Sequence, residues 1–136
     1  MAIPNVGGGY QLGDGNINEA KLGNQSTPAT MTSTDTLTAA QVATGIILGS
    51  PGSSAAIYTL PTVALWEALV TNAKVDSSFD FTVVNVNGSG SGTATLAVGT
   101  GWTLVGLTSV AATAGTAGIW RARKTGTGAW TAYRLA

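Results

Sequence analysis

Residues 58–87 read YTLPTVALWEALVTNAKVDSSFDFTVVNVN, and this stretch holds a strand end, a turn, a helix and the longest strand in succession. Pro61 stops the first strand, and Thr62 can cap a helix with its hydroxyl. From Thr62 onward Leu65, Trp66, Leu69, Val70 and Ala73 recur at spacings of three and four, while Glu67, Thr71 and Lys74 fall opposite. The pattern predicts a helix that buries the leucine and tryptophan side. Beyond it Phe79, Phe81 and Val83 alternate with Asp80, Thr82 and Val84, the period of a strand with one face inside. A helix covering a sheet is expected, with Leu65, Leu69, Phe81 and Leu96 in the core.

Working outward, residues 45–49 (GIILG) form a short buried strand, Pro51-Gly52 a turn and Ala55 to Leu60 another strand, at hairpin spacing. Before them Leu37 to Val42 can make one helical turn, after the threonine-rich extended run 28–38. Downstream, short strands are expected near 93–98, 102–105, 107–111, 119–124 and 129–135, the last two joined by the Thr125–Gly128 turn. Short strands at near-regular spacing with one helix predict a mainly β chain, a single-domain β-sandwich or jelly-roll-like fold over residues 28–136. Residues 1–27 are rich in Gly and Asn and read as an extended N-terminal arm. Ile3, Val6, Tyr10, Leu12, Ile17 and Leu22 punctuate it singly, as in a segment that becomes ordered along another surface.

The composition narrows the chemistry. Neither cysteine nor histidine occurs, which removes disulfides, thiolate metal sites, the usual zinc ligands and the usual near-neutral acid–base group. Six acidic side chains balance six basic ones, and charged residues make up 9% of the chain, against about 25% in an ordinary domain. A chain with so little charge is weakly protected against self-association, so much of its surface is expected to be covered in an assembly. No positive field favours nucleic acid, and no apolar run reaches a membrane span. The start, MAIPNVGGGY, lacks the cationic and apolar regions of a signal peptide or membrane anchor, so the chain is expected to be made in a cytoplasm.

No motif carries catalysis. Asp14-Gly-Asn16-Ile-Asn18-Glu19 begins like a calcium loop, but Glu19 stands where that loop needs glycine and Gln25 where it needs an acid. The glycine clusters at 7–9 and 88–92 lack a P-loop lysine. Nothing in the sequence gathers Asp35, Glu67, Asp76 and Asp80 into a pocket, and no serine has a histidine base. A non-enzyme without metal or cofactor is expected. The densest charge is Arg121, Arg123 and Lys124 with Arg134 on the paired strand. It reads either as a solvated hairpin or, with Trp120 and Trp130, as a contact surface for an acidic neighbour.

Four segments together suggest a family: GGGYQLGDGNINE at the start, TLTAAQVATGIILGSP, the YTLPTVALWEALV helix with FDFTVVN, and the ending RARKTGTGAWTAYRL. In these the chain resembles small virion structural proteins of tailed phages, especially marine and cyanobacterial ones. A small threonine-rich β-protein with an N-terminal arm resembles the capsid decoration, or cement, proteins among them. The resemblance implies a homo-trimer on the capsid exterior, bound to the major capsid protein, with Ile3, Val6, Tyr10, Leu12 and Ile17 as capsid-binding anchors and Trp120, Arg121, Arg123 and Trp130 at an interface. Two other virion roles share this composition: a tail-fibre or spike module stacking a glycan on Trp102 or Trp120, and a head-completion or neck protein. A fibre module would normally carry a shaft repeat, and the sequence contains none.

Overall fold

The computed structural model describes residues 23–87, 90–113 and 115–136. Two sheets face each other, as expected for a mainly β sandwich. Their connectivity follows from how the chain winds. The strands β1 (Ala29–Met31), β3 (Ile46–Gly49) and β5 (Ser78–Asn85) lie in the first sheet, and β2 (Asp35–Thr36), β4 (Ala56–Thr59) and β6 (Ala94–Ala97) lie in the second. After each strand of the first sheet the chain crosses to the second, then returns. Two of the returns are helices, α1 (Ala39–Ala43) and α2 (Val63–Leu69), which pack side by side.

This winding makes neighbours parallel: β1 with β3, β3 with β5, β2 with β4 and β4 with β6. Parallel partners need a long crossover, and here each crossover is a strand of the opposite sheet plus a helix. The hairpin expected between residues 45–49 and 55–60 is therefore not formed. Ser50 to Ala55 instead carry the chain between sheets, which lie roughly 10 Å apart in such packings. The antiparallel Greek keys of a jelly roll are likewise not what these parallel neighbours make.

The C-terminal half completes the sandwich differently. The strand β7 (Trp102–Val105) joins the first sheet and β8 (Ser109–Val110) the second, where it runs antiparallel to β6. Then β9 (Thr116–Gly126) and β10 (Ala129–Arg134) form the expected hairpin through Thr127-Gly128, with Gly128 at φ 66°. This hairpin lies between β5 and β7, giving the orders β1-β3-β5-β9-β10-β7 and β2-β4-β6-β8. The last residues of the chain thus join elements far earlier in sequence.

Both helices are chemically marked. Thr38 Oγ1 accepts from Gln41 N while Gln41 Oε1 accepts from Thr38 N, a reciprocal cap that starts α1. Thr62 Oγ1 accepts from Leu65 N at the start of α2. The described residues therefore form two helices, not the one expected, and the shorter is the turn expected at 37–42.

The core side of α2 differs from the expected one. Val63 and Trp66 are buried, Val70 packs against the core, and Leu65 and Leu69 are 61% and 49% exposed. The helix is rotated about its axis because Glu67, expected to face water, is turned toward β9 and β10. Lys124 Nζ lies 2.8 Å from Glu67 Oε1, Trp130 Nε1 donates to the same oxygen at 3.1 Å, and Lys124 also donates to Ala73 O. Phe81 and Leu96 are buried as expected.

An aromatic row fills the space beneath α2. Trp66 stacks on Phe79 with ring centres 4.7 Å apart and meets Trp130 edge-on at 5.9 Å; Trp102 lies 5.8 Å from Trp130, and Phe81 lies between Phe79 and Trp120. All four tryptophans are buried within one chain. The sandwich covers these rings itself. At the other end Asn85, fully buried, donates to Gly92 O at 3.0 Å and Ala111 O at 2.8 Å and accepts from Asn87 N, while Asn87 donates to Gly52 O.

Candidate functional site

The outward face of the six-stranded sheet is ordered in rows by its register. One row runs Ser78, Arg123, Thr131, Thr103, and the next Asp80, Arg121, Tyr133, Val105. Arg121 grips Asp80 through two bonds of 2.7 and 2.8 Å. Arg123 reaches Asp76 Oδ1 at 2.6 Å and the Tyr133 hydroxyl at 3.2 Å. The bond from Arg121 holds the Asp80 carboxyl below its usual range and raises the arginine. Each of these two cations already has a carboxylate of its own chain, so the face presents a neutral striped surface rather than a basic patch for an acidic neighbour.

The basic cluster expected around the hairpin is divided among separate places. Arg121 and Arg123 face outward, Lys124 faces Glu67, and Arg134 lies 4.5 Å over the Trp120 ring and donates to Leu107 O and Ser109 O. Trp120 and Trp130, expected at an interface, are instead core residues. The reason is parity: on β9 the positions that pair with the inward side of β10 are 120, 122 and 124, so the bulky ring goes in and the arginines go out. Trp102 is also buried, and its Nε1 donates to Pro61 O at 2.8 Å. Neither Trp102 nor Trp120 offers an open face for a sugar.

Two uncharged apolar surfaces remain. On the six-stranded sheet, Ile46, Thr82 and Ile119 lie in one row, with Leu135 bonded beside Ile119, and Leu48, Val84 and Ala117 lie in the next. At the helical end, Leu65, Ala68 and Leu69 of α2 and Ala39, Ala40 and Leu37 beside them line an open groove. Successive helical residues are turned by roughly 100°, so the set 63, 66, 67, 70 and the set 64, 65, 68, 69 lie on opposite sides. Both sides of α2 are apolar apart from Glu67, and such a helix is ordinarily covered all round. The signal is present in the sequence as VALWEAL, apolar at every position but Glu67.

A third concavity, lined by Trp66, Phe79, Trp130, Asn72, Ser77 and Ser78, opens beneath α2. Its aromatic walls are parts of the core row. The Nε1 atoms of Trp66 and Trp120 are buried without a hydrogen-bond partner among the described residues.

Among the described residues no three of His, Cys, Asp and Glu come together as a metal site would need. Asp76, Asp80 and Glu67 each pair with a separate cation. The arm anchors Ile3, Val6, Tyr10, Leu12 and Ile17 and the Asp14–Glu19 turn lie outside the described residues. No described helix is long and apolar enough to cross a membrane.

The Glu67 contact has a testable pH signature. Its carboxyl is held below the ordinary range first by the hydrogen bond from Lys124, then by that from Trp130. A folded pKa below the unfolded one stabilises the fold above the unfolded value of about 4.3 and loses this contribution as pH falls through the folded pKa. The unfolding midpoint is expected to be flat from about pH 6 to 8, where no histidine titrates, and to fall below about pH 4. Glu67→Gln should weaken that acid-side slope, as measured by urea denaturation across a pH series. An unchanged slope would remove Glu67 from the account.

Comparison with known families, with characterised proteins and with solved structures finds no match.

Proposed function

We propose that this protein is a phage capsid decoration, or cement, protein that binds the outer surface of the major capsid protein shell as a homo-trimer and stabilises it. The observation that carries the proposal is a small sandwich with internally paired charges that leaves two apolar surfaces, one on the six-stranded sheet and one at the helices, with no charged side chain at their centres. Surfaces of this kind suit broad subunit contacts, where charged groups are depleted from the buried centre. The arm adds single apolar anchors of the sort that order on a second surface. The resemblance of the four quoted segments to virion proteins supplies the identity of that surface. On this reading the particle exterior is where the protein resides.

The glycan-binding alternative loses its residues, because Trp102 and Trp120 are both buried. The test mixes purified protein with capsids assembled without it, pellets the particles and locates bound protein by electron microscopy. Binding at symmetric positions over the junctions of capsid subunits is expected. Deleting residues 2–22 should lower occupancy by orders of magnitude while leaving the unfolding midpoint near that of the full chain. Absence of full-length protein from the pellet at micromolar concentration would overturn the assignment.

A further inference from the structure

We propose that β7 is a docking edge for a second copy of this chain, which pairs with it antiparallel about a two-fold axis at Leu104. The contact is separate from the surfaces offered to the capsid above, which lie on the outer face of the six-stranded sheet and at the helices, and the two assignments stand or fall separately.

Four strands end the two sheets: β1 and β7 in one, β2 and β8 in the other. Edge strands are ordinarily kept short or marked with charge or proline, which deters pairing with other chains. Three of these edges follow that rule. β1 has three residues and comes directly after Pro28, β2 has two residues including Asp35, and β8 has two. β7 is the exception, with four residues inside the run 99–108 (GTGWTLVGLT), which contains neither a charged residue nor a proline. Among the described residues only β10 pairs with it.

The ladder with β10 fixes which backbone groups face the free side. Trp130 N donates to Gly101 O, so in the parallel register positions 101, 103 and 105 turn toward β10 while Trp102 and Leu104 turn away. Trp102 N is taken by Gly99 O. Trp102 O and both backbone groups of Leu104 are left without a backbone partner among the described residues.

An antiparallel copy with Leu104 against Leu104 exchanges both N–H···O bonds across the axis. That register sets Thr103 against Val105 of the second copy, two exposed β-branched residues of the kind that pair well across strands. It also sets Leu107, 66% exposed, opposite Gly101 of the second copy. Beside Gly101 lies a concavity lined by Val63, Ala64, Thr100 and Gly128, with the already paired Glu67 among its walls. Arg134 Nη1 donates to Leu107 O at 3.1 Å and so fixes this residue at the end of the strand. One chain thus carries both the exposed leucine and the recess, and a single register brings each to the other twice. This self-complementarity selects a second copy over an unrelated strand. Four paired residues and one leucine bury far less than the roughly 1,200 Å² of a stable interface, so the dimer is weak and exchanges rapidly.

The chain's lack of cysteine allows the register to be read directly. Thr103→Cys and Val105→Cys chains are made separately, and disulfide formation under mild oxidation is compared for each alone and for an equal mixture. In the proposed register residues 103 and 105 of opposite copies face each other with Cα atoms about 4.5 Å apart, within disulfide reach, whereas like positions lie on a diagonal of about 7–8 Å, beyond it. The mixed disulfide is expected to form about tenfold faster than either like one, the ratio of a 1.4 kcal/mol preference. Leu107→Asp in both chains should slow it to the rate of the like pairs while leaving the unfolding midpoint unchanged. Equal rates for the three combinations would overturn the proposal, and a faster Thr103 pair would move the axis away from Leu104 and do the same. So would a mixed disulfide indifferent to Leu107→Asp.

Discussion

Trp66→Ala is expected to lower stability by about 3–5 kcal/mol, the range for removing a large buried aromatic. A domain of this kind has about 5–15 kcal/mol in all. The size of the effect follows from position: Trp66 is the one side chain of α2 that reaches Phe79, Trp102 and Trp130 together, so its loss leaves a cavity between the helix and the six-stranded sheet. Neighbouring rings are fixed by their own partners, Trp102 by Pro61 O and Trp130 by Glu67, and cannot collapse into the space. Leu69→Ala, on the exposed side of the same helix, should change stability by less than about 0.5 kcal/mol. Urea denaturation of the two variants compares them directly. A Leu69→Ala loss as large as that of Trp66→Ala would mean that the helix faces are interchanged.

Asn85→Leu is expected to be comparably damaging, at about 3–5 kcal/mol, for a polar reason. It removes three hydrogen bonds and strands two buried groups, the carbonyl of Gly92 before β6 and the amide of Asn87, while the carbonyl of Ala111 after β8, at an exposed residue, also loses its donor. A buried carbonyl left without a donor costs about 1–3 kcal/mol. The isosteric leucine fills much of the volume, so the loss tests hydrogen bonding rather than packing. Denaturation together with hydrogen exchange should show faster opening of the segments around Gly92 and Ala111. A stability within 1 kcal/mol of the natural chain would mean that the Gly92 carbonyl and the Asn87 amide find other partners, since such a value is too small for two stranded groups.

The sequence by itself determined the local elements. Pro61 and Thr62 marked the start of α2, Thr38 and Gln41 marked α1, the alternation of Phe79, Phe81 and Val83 marked β5, and Thr127-Gly128 marked the closing hairpin. Each is legible because cap, period and turn depend on residues within a few positions of one another. It also indicated a two-sheet β domain, since short strands with a polar and an apolar side must find a second layer.

Only the tertiary structure decided which strands pair and which side of α2 is inside. Parallel pairing of β3 with β5 joins residues separated by a complete turn of the winding, and residues 45–60 contain nothing to say that two adjacent strands belong to different sheets. The rotation of α2 depends on Lys124 and Trp130, more than fifty residues downstream, which accept Glu67 on the inner side and send Leu65 and Leu69 outward. Arg121 and Asp80, 41 residues apart, are likewise brought together only by the register of β5 and β9, which turns an apparent basic patch into closed ion pairs. Periodicity reports how much apolar surface a helix carries. Which part of that surface faces the core is set by the partners that arrive from elsewhere in the chain.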